Sequence, residues 1–127
     1  MTSQSFRDLI VWQKSHELVL AIYKFSETFP KREMYSLTKQ LRRSAVSIQA
    51  NIVEGYRKRT PRDKSKFFNI AQGSLEETRY YLILANDLDY ASTHAIQLKI
   101  DEVSKILFSY NRSVRNSIGR VSHNSKS

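Results

Sequence analysis

Residues 37–57 read LTKQLRRSAVSIQANIVEGYR, and this stretch decides the fold. Its apolar residues recur at spacings of three and four, which is the period of one face of an α-helix. The residues on that face are Leu37, Leu41, Ala45, Ile48 and Ile52. No segment of the chain alternates apolar and polar residues for long, so the helical period predicts an all-α protein.

The same period extends from this stretch in both directions and predicts three more helices. We expect helices at approximately 9–28, 36–57, 61–88 and 93–116, followed by a disordered tail at approximately 117–127. Phe29-Pro30 ends the first helix, because the residue before a proline avoids helical backbone angles. Four long helices with short connections predict an antiparallel up-down-up-down four-helix bundle, a single domain over residues 1–127.

A few residues predict where the helices begin and where two of them approach closely. Thr60 followed by Pro61 is a typical helix start, and Ser36 and Asp8 can cap the second and first helices. Gly73 lies in the middle of the third helix, where glycine costs about 1 kcal/mol relative to alanine. We therefore expect a neighbouring helix to cross tightly at residues 71–74.

The composition is that of a globular protein without disulfides. The chain has 127 residues and no cysteine, which excludes a disulfide framework and thiolate metal sites. Its first residues lack the pattern of a signal peptide, and no stretch approaches the length of an apolar membrane span. The expectation is a cytoplasmic protein with no membrane partner.

Residue patterns that carry chemistry are missing from the sequence. The three histidines, His16, His94 and His123, lie far apart, and none belongs to a metal-binding motif. The three glycines are isolated and cannot form a phosphate-binding loop. We expect no catalytic residue, no metal and no cofactor, and hence a protein that is not an enzyme.

Positive charge is concentrated in one part of the chain. Between Lys31 and Lys66 there are eleven Lys or Arg and three acidic residues, a local net of +8 in a chain of net +9. Clustered charge of this kind favours an anionic partner such as nucleic acid, although a solvated basic surface that serves solubility alone is the alternative. The candidate phosphate contacts are Lys39, Arg42, Arg43, Arg57, Lys58, Arg59, Arg62, Lys64 and Lys66.

Aromatic residues border the basic segment, but most of them fall at core spacing. Only Tyr56 and Tyr35 are candidates for stacking on bases. Without displayed base-reading residues, the sequence predicts binding to phosphates and to nucleic-acid shape.

A second apolar stripe lies on the outer side of the second helix. Val46, Ala50 and Val53 share that side with Lys39 and Arg43. Apolar residues within a solvent face indicate a contact with another subunit or with a partner, although scattered surface valines also occur without function. We interpret the three residues as a candidate oligomer interface.

Several long motifs resemble one family. They are FRDLIVWQK at 6–14, QLRRSAVSI at 40–48, NIVEG at 51–55 and IAQGSLEE at 70–77, with Phe29-Pro30, Glu33 and Tyr35 between the first two. In this order they are similar to the bacterial four-helix-bundle proteins encoded in 23S rRNA intervening sequences. The resemblance runs from about Phe6 to Tyr110. It implies a left-handed bundle that assembles into a ring-shaped homopentamer, and a distant relationship to the accessory proteins of diversity-generating retroelements, which bind nucleic acid and a reverse transcriptase.

Charge pattern and resemblance together predict a non-catalytic, oligomeric nucleic-acid-binding protein that contacts structured RNA, such as rRNA, rather than DNA. One alternative is a scaffold or accessory subunit whose basic face docks an acidic partner such as a polymerase or reverse transcriptase. In another, Arg42 and Arg43 face inward between subunits, pair with Glu54 or Glu77, and serve assembly alone.

Overall fold

The computed structural model describes the backbone of residues 5–126 and the side chains of residues 5–118. Its helices are α1 (Ile10–Ser26), α2 (Leu37–Arg57), α3 (Pro61–Asp87) and α4 (His94–Lys126). Two short 3₁₀ turns, Phe6–Asp8 and Lys31–Glu33, precede α1 and α2. The described residues form no β-strand, and the prediction of an all-α four-helix bundle is confirmed.

Hydrogen bonds between neighbouring helices show that the helices run in opposite directions. Gln49 of α2 bonds to Trp12 near the start of α1, whereas the earlier residue Arg42 bonds to Ser26 at its end. The α2–α3 and α3–α4 pairings reverse in the same way: Ser47 with Ser74, Ser44 with Thr78, Gln72 with Ser104, and Asn69 with Asn111. The same end of the bundle therefore holds the C-terminus of α2, the N-terminus of α3 and the C-terminus of α4.

The core confirms the apolar face that the α2 sequence predicts. Leu37, Leu41, Ala45, Ile48 and Ile52 are all buried. In α3 the helical period predicts Phe67 and Ile70 on the buried side, but Phe68 is fully buried instead, whereas Phe67 is half-buried and Ile70 is 43% exposed. Adjacent aromatic residues fit a helical period almost equally well, and packing selects Phe68 because its ring fills the space beside Gly55.

The close approach that the sequence predicts around Gly73 does not involve that glycine. Gly73 is exposed, and a Cβ atom there would meet nothing within 4 Å, whereas Ser74 beside it contacts Ser47 of α2 at 2.8 Å. At Gly55 a Cβ atom would lie 2.5 Å from the ring of Phe68. The close contact between α2 and α3 that requires a glycine is therefore at Gly55, near the connection of the two helices.

Of the predicted helix caps, the one at α3 is confirmed. The Thr60 hydroxyl accepts a hydrogen bond of 3.2 Å from the backbone N–H of Asp63. Ser36 precedes α2 but does not cap it with its side chain; instead the Glu33 carboxylate accepts the Leu37 N–H at 3.3 Å. Asp8 also does not cap α1, which starts one residue later, after Leu9.

The fourth helix continues to Lys126, past the end predicted at about residue 116 and through most of the tail predicted to be disordered. The physical reason is that a helix already nucleated by packing extends at little cost until a strong breaker occurs, and the chain has no proline after Pro61. Val114 still packs against the core, and the Ser117 hydroxyl bonds to the Ser113 carbonyl. Ser127 lies outside the described residues.

Candidate nucleic-acid interface

The nine candidate phosphate contacts fall into two groups at opposite ends of α2. Lys39, Arg42 and Arg43 lie in its first two turns, and the other six lie at or after Arg57. At a rise of 1.5 Å per residue, the two groups are about 20 Å apart along the helix. The nine candidate residues therefore belong to two separate surfaces.

Arg42 is engaged at the end of α1. Its Nε donates to the Ser26 hydroxyl at 2.8 Å, and Nη2 donates to the Tyr23 carbonyl at 3.2 Å. The guanidinium also lies 4.8 Å from the centre of the Tyr23 ring. A cation that satisfies carbonyls at a helix C-terminus stabilises that terminus, so the fold accounts for Arg42.

Lys64 has the corresponding position at the end of α2. Its Nζ donates to the Tyr56 carbonyl at 2.7 Å and lies 3.4 Å from the Gly55 carbonyl. The side chain is half-buried, and this burial lowers the pKa of Lys64 below its ordinary 10.5. Lys64 therefore ties the start of α3 to the end of α2.

Glu54 pairs with two of the candidate cations. Its carboxylate lies 3.7 Å from Arg57 and 3.9 Å from Lys58, whose ammonium is also 4.9 Å from the centre of the Phe67 ring. Exposed ion pairs of this kind contribute little to stability, about 0–1 kcal/mol each. The Arg57 side chain is 70% exposed, so its charge remains accessible to an anion.

The remaining candidates are exposed. Among the side chains of residues 5–118, Lys39, Arg43, Arg59 and Arg62 make no hydrogen bond or ion pair. Lys66 lies 6.0 Å from the centre of the Phe67 ring. Three of these five, Arg59, Arg62 and Lys66, lie together where α3 begins.

The fourth helix adds two arginines that the sequence reasoning missed. Arg112 and Arg115 are exposed, and Arg115 lines one surface depression together with Arg62 and Lys66. The signal was present, because residues 112–127 carry four Lys or Arg and no acidic residue, and an antiparallel α4 must end beside the start of α3. Both arginines lie inside the helix predicted at approximately 93–116, and the candidate contacts were taken only from the basic segment between Lys31 and Lys66.

We call residues 54–66 and 112–118 the basic end of the bundle. It holds eight Lys or Arg and two acidic residues, a net charge of +6. The positive end of the α3 macrodipole lies here as well, and a cation in this position costs about 0.3–1 kcal/mol. Folding stability therefore explains the cations at the end of α2 but not Arg62 and Lys66.

Of the three predicted interface residues on α2, Val46 lines a second depression, and Ala50 and Val53 do not line it. Val46 is 43% exposed, Ala50 is exposed and Val53 is half-buried. Val46 lines a largely apolar groove of about 490 Å³ at the other end of the helix from the basic end. The groove also contains Tyr23, Met34, Tyr35, Lys39 and Arg43, and Tyr35 is 88% exposed.

The described part of the chain offers little for other chemistry. Its His, Asp and Glu side chains form no group of three that could hold a metal ion. His16 stacks on Trp12, with ring centres 5.0 Å apart. No helix within residues 5–126 has the length and apolar character needed to span a bilayer.

The fold and charge distribution define a class: a four-helix bundle with one strongly basic end. The family model of the 23S rRNA-intervening sequence protein matches residues 7–109, so the chain belongs to that family. The crystal structure of a protein with unknown function from the S23 ribosomal protein family of Bacteroides thetaiotaomicron is similar, with 30% sequence identity and a TM-score of 0.73. That similarity covers 81% of this chain and 96% of the other. No curated protein matches the chain.

Proposed function

We propose that this protein is a non-catalytic, oligomeric nucleic-acid-binding protein that contacts RNA through its basic end. The observation that carries the proposal is the convergence of Arg62 and Lys66 with Arg115, which comes from a helix distant in sequence, in one surface depression. Like charges brought together by folding repel one another, and a polyanion removes that repulsion.

Phosphate groups are the ligands that such a surface fits best. Arginine presents several N–H donors in a planar fork that matches phosphate oxygens, and the exposed side chains at the basic end are mainly arginine. Each phosphate neutralised releases condensed counterions, which makes binding strongly dependent on salt. RNA is favoured over DNA because the name of the family refers to 23S rRNA.

The test of this function is a binding titration of the full-length chain with single-stranded and hairpin RNA at several salt concentrations. With Z phosphate contacts, the logarithm of the binding constant should fall by about 0.7Z for each tenfold rise in salt for single strands. An affinity that does not change between low and moderate salt would contradict the proposal.

Assembly into an oligomer, of five subunits if the expectation from the resemblance holds, is part of the same proposal. Exposed apolar side chains at Val46, Ala50 and in the groove with Tyr23 and Tyr35 support a protein contact on this side of α2. Light scattering measures the mass directly. Val46→Glu with Ala50→Glu should reduce the mass to that of the monomer. Leu98→Glu, at a side chain 57% exposed on α4, is the matched control.

The same apolar groove is the reason to retain a second candidate function, a scaffold that docks an acidic protein partner. Purification with and without nuclease distinguishes the two functions. Loss of all copurifying material after nuclease favours RNA binding. A protein partner that stays bound after nuclease, and is released by charge reversal at Arg43, favours the scaffold.

A further inference from the structure

The groove between α3 and α4 is more polar than the apolar groove beside the start of α2. It is polar, has a volume of about 670 Å³, and joins the basic end through the shared residues Asn69 and Arg115. Its lining includes Asn69, Gln72, Phe108, Asn111, Arg112 and Arg115. We call it the amide groove. Its volume lies in the range of pockets that hold a small organic ligand.

The α4 side of the amide groove is a single stripe of functionally different side chains. Ser104, Phe108, Asn111 and Arg115 follow one another at spacings of four, three and four, so they lie in one line along the helix. A backbone acceptor, an aromatic ring, an amide and a guanidinium thus succeed one another toward the basic end. Ser104 contributes its carbonyl, which accepts a hydrogen bond from Gln72 at 3.4 Å.

Phe108 presents an exposed aromatic ring to the amide groove. Its side chain is 61% exposed although it lies one residue after the fully buried Leu107. An aromatic ring beside arginines is the arrangement by which proteins stack unpaired bases while holding the strand by its phosphates. A single exposed phenylalanine is common on protein surfaces, and Phe108 differs in sharing a polar groove with Arg112 and Arg115.

The neighbouring Asn111 is a buried amide with an unused hydrogen-bonding group. The residue is 5% exposed, its Nδ2 donates to Asn69 Oδ1 at 2.9 Å, and its own Oδ1 is buried without a donor. Asn69 can serve only one end of this amide, so in either orientation one polar atom of Asn111 is left over. The unpaired position is buried away from solvent, so Asn111 forms part of the polar wall of the groove and holds Asn69 in place there.

We propose that the amide groove binds one unpaired base of an RNA strand whose phosphates lie on the basic end. Phe108 stacks on the base, the Glu76 carboxylate accepts an N–H from its edge, and Arg112 and Arg115 contact the adjoining phosphate. This inference rests on the proposed RNA-binding function and deepens it, because it adds base recognition to a surface that the sequence predicts to read only phosphates and shape.

The polar atoms of the groove favour a base that carries an exocyclic amine. The carboxylate of Glu76 lines the groove and accepts hydrogen bonds, so it fits a base edge that presents a donor. Arg79 binds Glu76 at 3.2 Å and also Asp101, which fixes this carboxylate in place. Cytosine and uracil have the same ring size but differ in the amine, so cytosine should bind more tightly than uracil.

The experiment compares the binding of full-length wild-type protein to three fluorescent oligonucleotides of equal length: oligo-C, oligo-U and an abasic strand with the same phosphates. We expect Phe108→Ala to weaken oligo-C binding about tenfold, which corresponds to the loss of one stacked base, and to leave the abasic strand unchanged. Phe108→Trp should restore oligo-C binding. Leu98→Ala, at a side chain of similar exposure on the same helix, is the control and should change neither affinity.

Glu76→Met, a substitution of similar volume that removes the acceptor, should abolish the preference for oligo-C over oligo-U. The loss of its negative charge acts on all three strands alike and does not change this ratio. If the wild type binds all three strands equally and Phe108→Ala has no effect, the base site is wrong while RNA binding stands. If the wild type binds none of the three strands even at low salt, both proposals are overturned.

Discussion

The two ends of the bundle are built by similar means but differ in net charge. At the basic end, residues 54–66 and 112–118 have a net charge of +6. At the opposite end, residues 24–43 and 85–98 hold six Lys or Arg and four acidic residues, a net of +2. Each end uses one cation to satisfy helix carbonyls, Lys64 at the basic end and Arg42 near the other. One cation at each end is therefore enough for the fold, and the excess at the basic end requires another explanation.

The opposite end satisfies its polar groups internally. The Glu33 carboxylate accepts hydrogen bonds from the Ser36 hydroxyl at 2.8 Å, from the Leu37 N–H and from the Tyr90 hydroxyl at 3.0 Å. Tyr90 in turn packs against Phe29 and lies 5.7 Å from the Arg32 guanidinium. At the basic end Arg59 and Arg62 have no such partners among the described side chains. This contrast separates side chains that hold the fold from side chains that remain available to a ligand.

The largest effect should come from neutralising equal numbers of charges at the two ends. Arg59→Gln, Arg62→Gln and Lys66→Gln together should weaken binding to single-stranded RNA about 100-fold near 0.1 M salt, since three phosphate contacts are lost. The slope of log affinity against log salt should become shallower by about 2. Fluorescence anisotropy measures both quantities.

The matched control is Lys24→Gln, Lys31→Gln and Arg32→Gln, which changes the net charge by the same amount at the opposite end. We expect less than a threefold loss of affinity in this variant. Equal losses in the two triple variants would mean that only the total charge matters and that the basic end has no special role.

The second prediction concerns how tightly the joint at the basic end is packed. Gly55→Ala should lower the free energy of unfolding by about 1–3 kcal/mol, because the added Cβ would overlap the Phe68 ring. Gly73→Ala should raise it by about 0.5–1 kcal/mol, because the site is open and alanine favours the helix. Urea denaturation measures both changes. A Gly55→Ala variant as stable as the wild type would refute the close packing of α2 on α3.

The third prediction separates two neighbouring cations at the basic end. Lys64→Met should cost about 1–2 kcal/mol of stability, because the Tyr56 and Gly55 carbonyls lose their donor. Arg62→Gln should leave stability unchanged or slightly raised, because it removes a cation from a helix N-terminus. The affinity for RNA should fall in Arg62→Gln and stay unchanged in Lys64→Met. Thermal denaturation measures the stability of the two variants, and RNA titration measures their affinity. A loss of affinity in Lys64→Met together with a loss of stability in Arg62→Gln would contradict the prediction.

The smallest effect belongs to the opposite end and to acid pH. The hydrogen bond from Ser36 lowers the pKa of Glu33 below its ordinary 4.5, with a further contribution from Tyr90. A lowered carboxyl pKa stabilises the fold above pH 4.5, and this contribution disappears as pH falls through the folded-state pKa. The melting temperature of Glu33→Gln should therefore lie below that of the wild type at neutral pH and approach it in acid. A difference that grows in acid would contradict this assignment.

The sequence predicted the fold more completely than the candidate site. The α2 stripe was readable because Leu41, Ala45 and Ile48 follow a strict period, and Thr60-Pro61 is a strong start signal. Period alone could not choose between Phe67 and Phe68, which packing around Gly55 decides. It also could not show that Gly73 faces solvent.

The site was harder to predict because its side chains act across helices. Arg42 and Lys64 look like binding residues in the sequence, but each bonds to carbonyls of the preceding helix, and such contacts are not visible in the spacing. Asn111 lies at a core position where a polar residue carries no sequence signal. Arg112 and Arg115 lie beyond residues 7–109 that match the family and far in sequence from the basic segment that they join in the fold.

The central claim is that RNA contacts the basic end and the adjoining amide groove. Ultraviolet cross-linking of the full-length protein to single-stranded RNA, followed by mass spectrometry of the cross-linked peptides, tests it most directly. The account predicts cross-links in peptides from residues 57–69 and 104–115, and their loss at high salt. Cross-links confined to residues 24–38 and 85–98 would contradict it.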